Sequence, residues 1–221
     1  MWAIVPVKTF DRAKQRLANV LSEDERRSLM LAMARDVLTC LSTCSNLSGI
    51  LIVSRAPEAD ALAQTFATER FAESPDANLP ESLEQATQHL VTNFDAQGVI
   101  IVPADVPGIL PDELDQILAE HETVTIMPDA ENVGTNGLIC SPPGRIPYVF
   151  DGKSFKPHVD AAYEAGLSPK VVPGTRFTLD VDLPQDLIEL CELAPNSQTA
   201  TYLEREGIVS RLKGQASSHS G

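Results

Sequence analysis

The stretch Gly98-Val-Ile-Ile-Val-Pro-Ala-Asp-Val-Pro107 combines an apolar run with a carboxylate directly behind it. A short run rich in β-branched residues and bounded by Gly and Pro is typical of a strand buried on both faces, as in parallel sheets. Asp105 follows that strand. Because open α/β sheets bind ligands outside the carboxyl ends of their strands, we expect Asp105 to face a ligand crevice.

Similar short runs alternate with segments of helical periodicity along the rest of the chain. This alternation predicts an α/β fold with a mostly parallel central sheet. The predicted strands cover residues 2–7, 49–54, 98–103, 123–127, 148–150 and 178–181. One predicted helix begins at the capping box Ser22-Glu-Asp-Glu25. Further helices are predicted over residues 57–66, 81–93, 111–121 and 184–193.

Composition limits both domain number and partners. A chain of 221 residues with 43% hydrophobic content can bury one core, so we expect one domain over residues 1–210. Residues 211–221, rich in Ser and Gly from Lys213 onward, are predicted to form a disordered tail. The net charge of -14 opposes nucleic-acid binding, which needs clustered cations. The absence of a long apolar segment or a signal peptide predicts a cytoplasmic protein without a membrane span.

Two further carboxylates follow a strand-like run in Phe177-Thr-Leu-Asp-Val-Asp-Leu-Pro184. Asp180 and Asp182 are two residues apart and would share a face of a strand. Together with Asp105 they would supply the oxygen ligands that Mg²⁺ prefers beside substrate phosphates. An alternative for Asp182 is capping of the helix that begins at Pro184.

Four cations, Lys8, Arg12, Lys14 and Arg16, follow the first predicted strand. Lys8 comes at the carboxyl end of that strand, where its compact charge would suit a phosphate oxygen. For Arg12 and Arg16 a solvated helix start beside acidic neighbours is an equally good interpretation. Neither G-x-G-x-x-G nor G-x-x-x-x-G-K-[ST] occurs, so dinucleotide and P-loop classes lose their main support.

Two polar segments could complete a site. In Asn132-Val-Gly-Thr-Asn-Gly-Leu138 the glycines allow close backbone approach, and Thr135 and Asn136 offer hydroxyl and amide groups for anionic oxygens. A plain turn would have the same composition. In the second segment, Asp151-Gly152 could be a hairpin turn, and Ser154 and His158 matter only if they lie near the carboxylates.

In their order and spacing these motifs closely resemble the guanylyltransferases of coenzyme F(420) biosynthesis. The resemblance spans roughly residues 1 to 195. It rests on Trp2-Ala-Ile-Val-Pro-Val-Lys8 with Lys14 and Arg16, Val102-Pro-Ala-Asp-Val-Pro107, Pro128-Asp129 with Gly134-Thr-Asn136, Ser154-Phe155 with His158, and Leu179-Asp-Val-Asp-Leu-Pro-Gln-Asp186.

The resemblance implies a single-domain, Rossmann-like fold similar to the nucleotide-diphospho-sugar transferases, with a mixed, mostly parallel sheet. It also implies a Mg²⁺-dependent transfer of GMP from GTP to the phosphate of a three-carbon acid, with release of pyrophosphate. The acceptors of such families are 2-phospho-L-lactate, phosphoenolpyruvate and 3-phospho-D-glycerate.

The same resemblance implies residue roles. Asp105, Asp180 and Asp182 match the Mg²⁺ ligands, while Lys8, Thr135 and Ser154 match positions near the acceptor. Lys8, Asp105 and Asp182 are the predicted catalytic residues. The predicted substrate-binding residues are Lys8, Lys14, Arg16, Gly134, Thr135, Asn136 and Ser154, with Lys14 and Arg16 assigned to the GTP phosphates.

Two departures from the family pattern leave the acceptor open. Pro80 stands where an Asn is expected, and Asp151 replaces a Gly, so we expect a different acceptor, with 3-phospho-D-glycerate foremost. One alternative function is a nucleotidyltransferase for a sugar phosphate or molybdopterin, although such relatives carry a Gly-rich loop that Pro6-Val-Lys-Thr-Phe10 lacks. Another is a non-catalytic nucleotide-binding domain, against which the intact carboxylates argue. A homodimer built through residues 139–170 is a further expectation.

Overall fold

The computed structural model describes residues 1–7 and 14–218, which form one mixed sheet covered by helices on both faces. The strands in these ranges are β1 (Trp2–Pro6), β2 (Gly49–Ser54), β3 (Glu69–Ala72), β4 (Val99–Ile101), β5 (Val124–Pro128), β6 (Thr135–Cys140) and β7 (Lys170–Val171). The helices are α1 (Glu23–Thr43), α2 (Glu58–Phe66), α3 (Leu79–Phe94), α4 (Pro111–Ala119), α5 (Phe155–Glu164), α6 (Pro184–Leu193), α7 (Gln198–Arg205) and α8 (Ile208–Ser218).

The strand order is β3-β2-β1-β4-β6-β5-β7, and β6 alone among the described strands runs against its neighbours. The pairs β1–β2, β1–β4, β2–β3 and β5–β7 are parallel. The carboxyl ends of β1, β2, β4 and β5 therefore meet the amino end of β6 at one edge. This arrangement confirms the predicted mixed, mostly parallel sheet.

Successive strand residues enter two separate cores, one on each face. Ala3 and Val5 of β1 pack with α1, whereas Ile4 between them packs with α3. The apolar stripe on one face of α1, formed by Met30, Met33, Val37 and Leu41, is buried and belongs to the core. Ser22 caps α1 by accepting from the Glu25 N–H at 3.2 Å, as its capping-box spacing predicts.

Two predicted strands do not form, and strand β6 was not predicted. Residues 148–150 form no strand. The segment is apolar because Tyr148 packs against α3, where its hydroxyl forms a 3.0 Å hydrogen bond with Thr87 Oγ1. Residues 178–181 form no strand either, because Thr178 ends a short 3-10 helix (Arg176–Thr178) and the chain after it is extended but unpaired as a strand. The segment that reads as a Gly- and Asn-rich turn is strand β6, where a Cβ on Gly137 would lie 2.3 Å from Met127 Cε.

The predicted disordered tail begins inside a helix. Helix α8 continues to Ser218, because Leu212 is buried in the core and the Arg211 guanidinium lies 2.8 Å from Glu25 Oε1. These two contacts fix the helix beyond residue 210. Among the described helices none is both long and apolar enough to cross a membrane.

Candidate active site

A cleft of about 750 Å³ opens at the sheet edge where β1, β2 and β4 end and β6 begins. The reversed direction of β6 brings its first residues to the same edge as the carboxyl ends of the parallel strands. Most of the predicted site residues line this one cleft: Lys14, Arg16, Asp105, Gly134, Thr135, Asn136, Ser154, Asp180 and Asp182. Lys8, like Arg12, lies outside the described residues.

Asp105 and Asp182 converge on a single cationic atom. Lys14 Nζ lies 2.8 Å from Asp105 Oδ2 and 2.6 Å from Asp182 Oδ1. Asp105 follows β4, and Asp182 precedes α6. The two segments are joined where the Val181 N–H donates to the Asp105 carbonyl oxygen at 2.9 Å. The extended chain around Val181 therefore keeps the facing of Asp180 and Asp182 that a strand would have given.

Lys14 is buried, with 6% of its side chain exposed. Burial lowers the pKa of Lys14, but the charges and hydrogen bonds of Asp105 and Asp182 outweigh it and leave the pKa raised. The ammonium therefore stays charged. Its backbone has φ 50° and ψ 48°, the left-handed conformation that is uncommon for residues other than glycine.

Asp180 is the third carboxylate of the cleft and is held by Asn136, whose Nδ2 donates to Asp180 Oδ1 at 3.0 Å. Burial raises the pKa of Asp180, the hydrogen bond from Asn136 opposes it, and the charges of Asp105 and Asp182 raise it further. Asn136 also donates to the Phe177 carbonyl oxygen at 2.8 Å, so β6 fixes the segment that carries Asp180.

The donor set fits a hard divalent cation, because Asp105 and Asp182 already direct carboxylate oxygens at one positive charge. Within residues 1–7 and 14–218, no three His, Cys, Asp or Glu side chains form a complete ligand cluster in this arrangement. Lys14 stands between the two aspartates instead. Arg16 contacts Asp182 only at 3.4 Å and is 72% exposed, so its guanidinium lies at the rim.

The alternative role for Asp182, helix capping, is taken by another residue. Leu183 is the N-cap position of α6, and its N–H donates to Asp186 Oδ2 at 2.6 Å. The Asp182 N–H donates to the same oxygen at 2.8 Å. The Asp182 carboxylate is thereby left to face Lys14.

The far end of the cleft is lined by neutral donors. The Thr135 N–H donates to Ser154 Oγ at 3.0 Å and joins the start of β6 to the start of α5. Thr135 Oγ1 lies 2.9 Å from His158 Nδ1, and His158 is fully inaccessible to solvent. The structure therefore brings His158 into contact with a cleft residue, although it does not itself line the cleft.

Position 134 requires glycine because the Asp129 carboxylate approaches its backbone closely. Asp129, not predicted as a site residue, accepts from the Val133 N–H at 2.9 Å and from the Gly134 N–H at 2.7 Å. A Cβ on Gly134 would lie 2.8 Å from Asp129 Oδ2. The carboxylate therefore shapes the turn that delivers Thr135 into the cleft.

Arg55 and Glu73 also line the cleft and were missed in the sequence. The Arg55 guanidinium donates to the Pro75 carbonyl oxygen at 2.7 Å, and Glu73 accepts from the Ser82 hydroxyl at 2.9 Å. Glu73 comes after β3, whose residues show no apolar run. The position after that strand therefore could not be recognised.

The two departures from the family pattern have structural explanations. Pro80 is in the first turn of α3, where backbone N–H groups have no partner within the helix, and Asn78 caps that turn by accepting from the Glu81 N–H at 3.0 Å. Asp151 is exposed and accepts from the Lys153 N–H at 2.9 Å, while Gly152 lines the cleft.

The chain resembles known proteins in both sequence and structure. The family described as "Guanylyl transferase CofC like" matches residues 1–219. A phosphoenolpyruvate guanylyltransferase of Thermobaculum terrenum is 32% identical over 193 residues, 86% of this chain and 82% of that protein. A 2-phospho-L-lactate guanylyltransferase of Methanothermobacter thermautotrophicus is 33% identical over 205 residues, covering 92% and 89% of the two chains.

Among solved structures, a protein described as a nucleotide-diphospho-sugar transferase from Desulfovibrio desulfuricans G20 superposes with a TM-score of 0.76. It is 22% identical, with 96% of this chain and 97% of that chain covered, and so shows the fold alone. The fold is thus that of the nucleotide-diphospho-sugar transferases. With the match of the family over residues 1–219, the chain belongs to the CofC-like guanylyl transferases and is a nucleotidyltransferase.

Proposed function

We propose that this enzyme transfers GMP from GTP to the phosphate of a small phosphorylated three-carbon acid and releases pyrophosphate, as a step of coenzyme F(420) biosynthesis. The acceptor is 3-phospho-D-glycerate, phosphoenolpyruvate or 2-phospho-L-lactate, with 3-phospho-D-glycerate foremost. The names of the relatives support the reaction class. One observation carries the proposal: a cation-holding carboxylate pair and a set of neutral donors share one cleft.

The chemistry needs little from the protein beyond position and charge. The acceptor phosphate is itself an anionic nucleophile, so its attack on the α-phosphorus of GTP requires no serine, cysteine or general base. The new bond joins an acceptor oxygen to the α-phosphorus, and the bond to the pyrophosphate oxygen breaks. Holding two anions in line and neutralising their repulsion are therefore the tasks of the site.

Asp105, Asp180 and Asp182 would hold Mg²⁺, which supplies charge neutralisation for the phosphates of GTP when bound. Lys14 contacts two of these aspartates and can exchange them for a phosphate oxygen without leaving the cleft. Arg16 at the rim is the second candidate for the GTP phosphates. Lys8 is proposed to offset the repulsion between the two substrates.

The acceptor would bind at the opposite end. Thr135 and Ser154 present two hydroxyls there, and Gly134 admits the backbone closely. The Asn136 amide lines the same cleft, but its Nδ2 already donates to Phe177 and Asp180. Neutral donors suit the carboxylate and phosphate oxygens of a small acid.

The test is an acceptor panel read by pyrophosphate release and by product mass. GTP or ATP is combined with each of the three acids, with glucose 1-phosphate as a sugar-phosphate control. The proposal expects a GMP adduct with at least one acid and none with the sugar phosphate. An adduct with the sugar phosphate alone would favour the alternative acceptor class, and binding of GTP without release would indicate a non-catalytic domain.

A homodimer through residues 139–170 remains a prediction. In the described structure Tyr148, His158 and Ala162 of this segment are buried in their own chain, while Tyr163 is 62% exposed. Sedimentation of the wild-type protein and of Tyr163→Glu would test the association. A monomeric wild type would refute it.

A further inference from the structure

We propose that His158 is a positioning residue, which fixes the Thr135 hydroxyl as a hydrogen-bond donor toward an anionic oxygen of the acceptor. The inference rests on the proposed function, because it assigns the acceptor to the end of the cleft where Thr135 lies. His158 acts on the substrate only through Thr135, from behind the cleft wall.

The hydrogen bonds of His158 determine which ring nitrogen carries the proton. The Val149 backbone N–H donates to His158 Nε2 at 2.9 Å. A backbone N–H can only donate, so Nε2 must present its lone pair. In the neutral imidazole the proton is then on Nδ1.

The protonated Nδ1 of His158 in turn determines the role of the Thr135 hydroxyl. His158 Nδ1 lies 2.9 Å from Thr135 Oγ1, and with its proton in place it must donate to that oxygen. The threonine oxygen accepts, and its own proton is free to turn elsewhere. Within the described part of the chain, Thr135 Oγ1 has no other hydrogen-bond partner, and the residue lines the cleft.

Ser154 reaches the same polarity by a different contact. Its Oγ accepts from the Thr135 backbone N–H at 3.0 Å, so its proton is also available as a donor. Thr135 and Ser154 are 5% and 2% exposed, which holds both hydroxyls against the cleft wall. Two O–H groups available as donors at one place favour an acceptor-only ligand such as a carboxylate or phosphate oxygen.

The surroundings of His158 keep the ring in this neutral form. The ring is fully buried, it lies edge-on to Phe150 with centroids 5.1 Å apart, and it occupies the first turn of α5. Burial lowers the pKa of His158 to about 4, with the nearby Asp151 opposing the shift. The positive end of the helix also disfavours an imidazolium there.

The chain offers a matched set of variants. His158→Asn retains an amide donor near the Nδ1 position, whereas His158→Gln places its amide nearer Nε2. Thr135→Val removes the hydroxyl at nearly constant shape. His89→Gln is the control, since His89 is on α3 outside the cleft and contacts Phe71, Asn93 and Phe94.

Each variant is assayed for the KM of the acid at saturating GTP, for the KM of GTP, and for binding of the three acids by calorimetry. Thr135→Val and His158→Gln should each raise the KM and Kd for the acid by roughly 10- to 100-fold, the effect of losing a hydrogen bond to a charged group. His158→Asn and His89→Gln should stay within about threefold of wild type, and the KM of GTP should not change.

The double variant Thr135→Val/His158→Gln decides the mechanism. If His158 acts through Thr135, the double variant binds the acid no more weakly than Thr135→Val alone. Multiplying effects, or an equal rise in the KM of GTP, would overturn the inference. If the wild type neither binds nor turns over any of the acids, the proposed function itself fails and the inference with it.

Discussion

The two ends of the cleft are built in opposite ways. At one end Lys14, Asp105 and Asp182 form ion pairs, and the aspartate side chains are 27% and 40% exposed. At the other end Thr135, Ser154 and His158 are almost wholly buried and joined by neutral hydrogen bonds. The ionic residues lie outside the hydrogen-bonded strands of the sheet, whereas the neutral residues lie at the start of strand β6 and the start of helix α5.

The two ends differ in how readily their side chains can change partners. The partly exposed carboxylates can exchange the buried Lys14 ammonium for a metal, provided that a phosphate oxygen pairs with that ammonium in turn. Buried neutral donors cannot be rearranged without leaving a polar group unpaired. The neutral end is therefore preorganised for its ligand, and the ionic end is adjustable.

The largest effect should come from the ionic end. Asp182→Asn removes a carboxylate that would hold the cation, and we expect kcat to fall by about three orders of magnitude because charge neutralisation dominates this reaction. Thermal denaturation should show a folded protein, as should the exposed control Asp112→Asn, which keeps its turnover. Near-normal turnover of Asp182→Asn at ordinary Mg²⁺ would refute the metal assignment.

Lys14→Gln should separate the two tasks of that cation. We expect kcat/KM for GTP to fall roughly 100-fold, because a phosphate contact of a few kcal/mol is lost. Without nucleotide, Mn²⁺ should bind about tenfold more tightly by calorimetry, since Asp105 and Asp182 no longer share an ammonium. Weaker Mn²⁺ binding would show that Lys14 supports the metal site instead of competing for it.

The neutral end predicts a pH dependence of stability. The pKa of His158 is about 4 in the folded chain, below its ordinary value of 6.5, so the unfolded chain takes up the proton first as pH falls. The contribution of His158 to the free energy of unfolding is complete above pH 6.5 and declines by about 2 to 3 kcal/mol toward pH 4.5. Urea unfolding at pH 7.5 and 4.5 gives the loss of unfolding free energy for each protein. We expect the loss to be smaller in His158→Asn than in wild type by about 2 to 3 kcal/mol, and equal losses would contradict the assignment.

Gly134→Ala tests how firmly the neutral end is placed. Its Cβ would meet Asp129 Oδ2 at 2.8 Å, and we expect a loss of about 1 to 2 kcal/mol, or a few degrees in Tm, from the forced shift. Gly214→Ala on α8 meets nothing within 4 Å and should not lower Tm. An unchanged Tm for Gly134→Ala would mean that Asp129 moves freely.

Sequence was sufficient where a single segment determines its own structure. The run before Asp105 is buried on both faces of the sheet, so its composition alone predicts β4 and the position of the carboxylate. The capping box at Ser22 and the stripe on α1 are similarly local. Asp105, Asp180 and Asp182 all line the cleft, and their role as metal ligands stays a prediction.

Sequence was insufficient where structure depends on a neighbour. Strand β6 contains Gly and Asn, which favour turns, and it forms because β4 and β5 pair with it on both sides. The contact between Thr135 and His158 joins elements 23 residues apart, neither of which was predicted. Nothing local indicates that Lys14 lies between two aspartates more than 90 residues away.

The reversed strand β6 also bears on how such an enzyme could change its acceptor. Residues after parallel strands are connected through helices, so altering the length of those loops disturbs helix packing. The hairpin between β5 and β6 both leaves and re-enters the sheet at the cleft, and it can lengthen in solvent with the ladder unchanged. If the acid binds at Thr135 and Ser154 as proposed, selection for a new acid would act on a few hairpin residues and leave the residues proposed to hold the nucleotide unchanged.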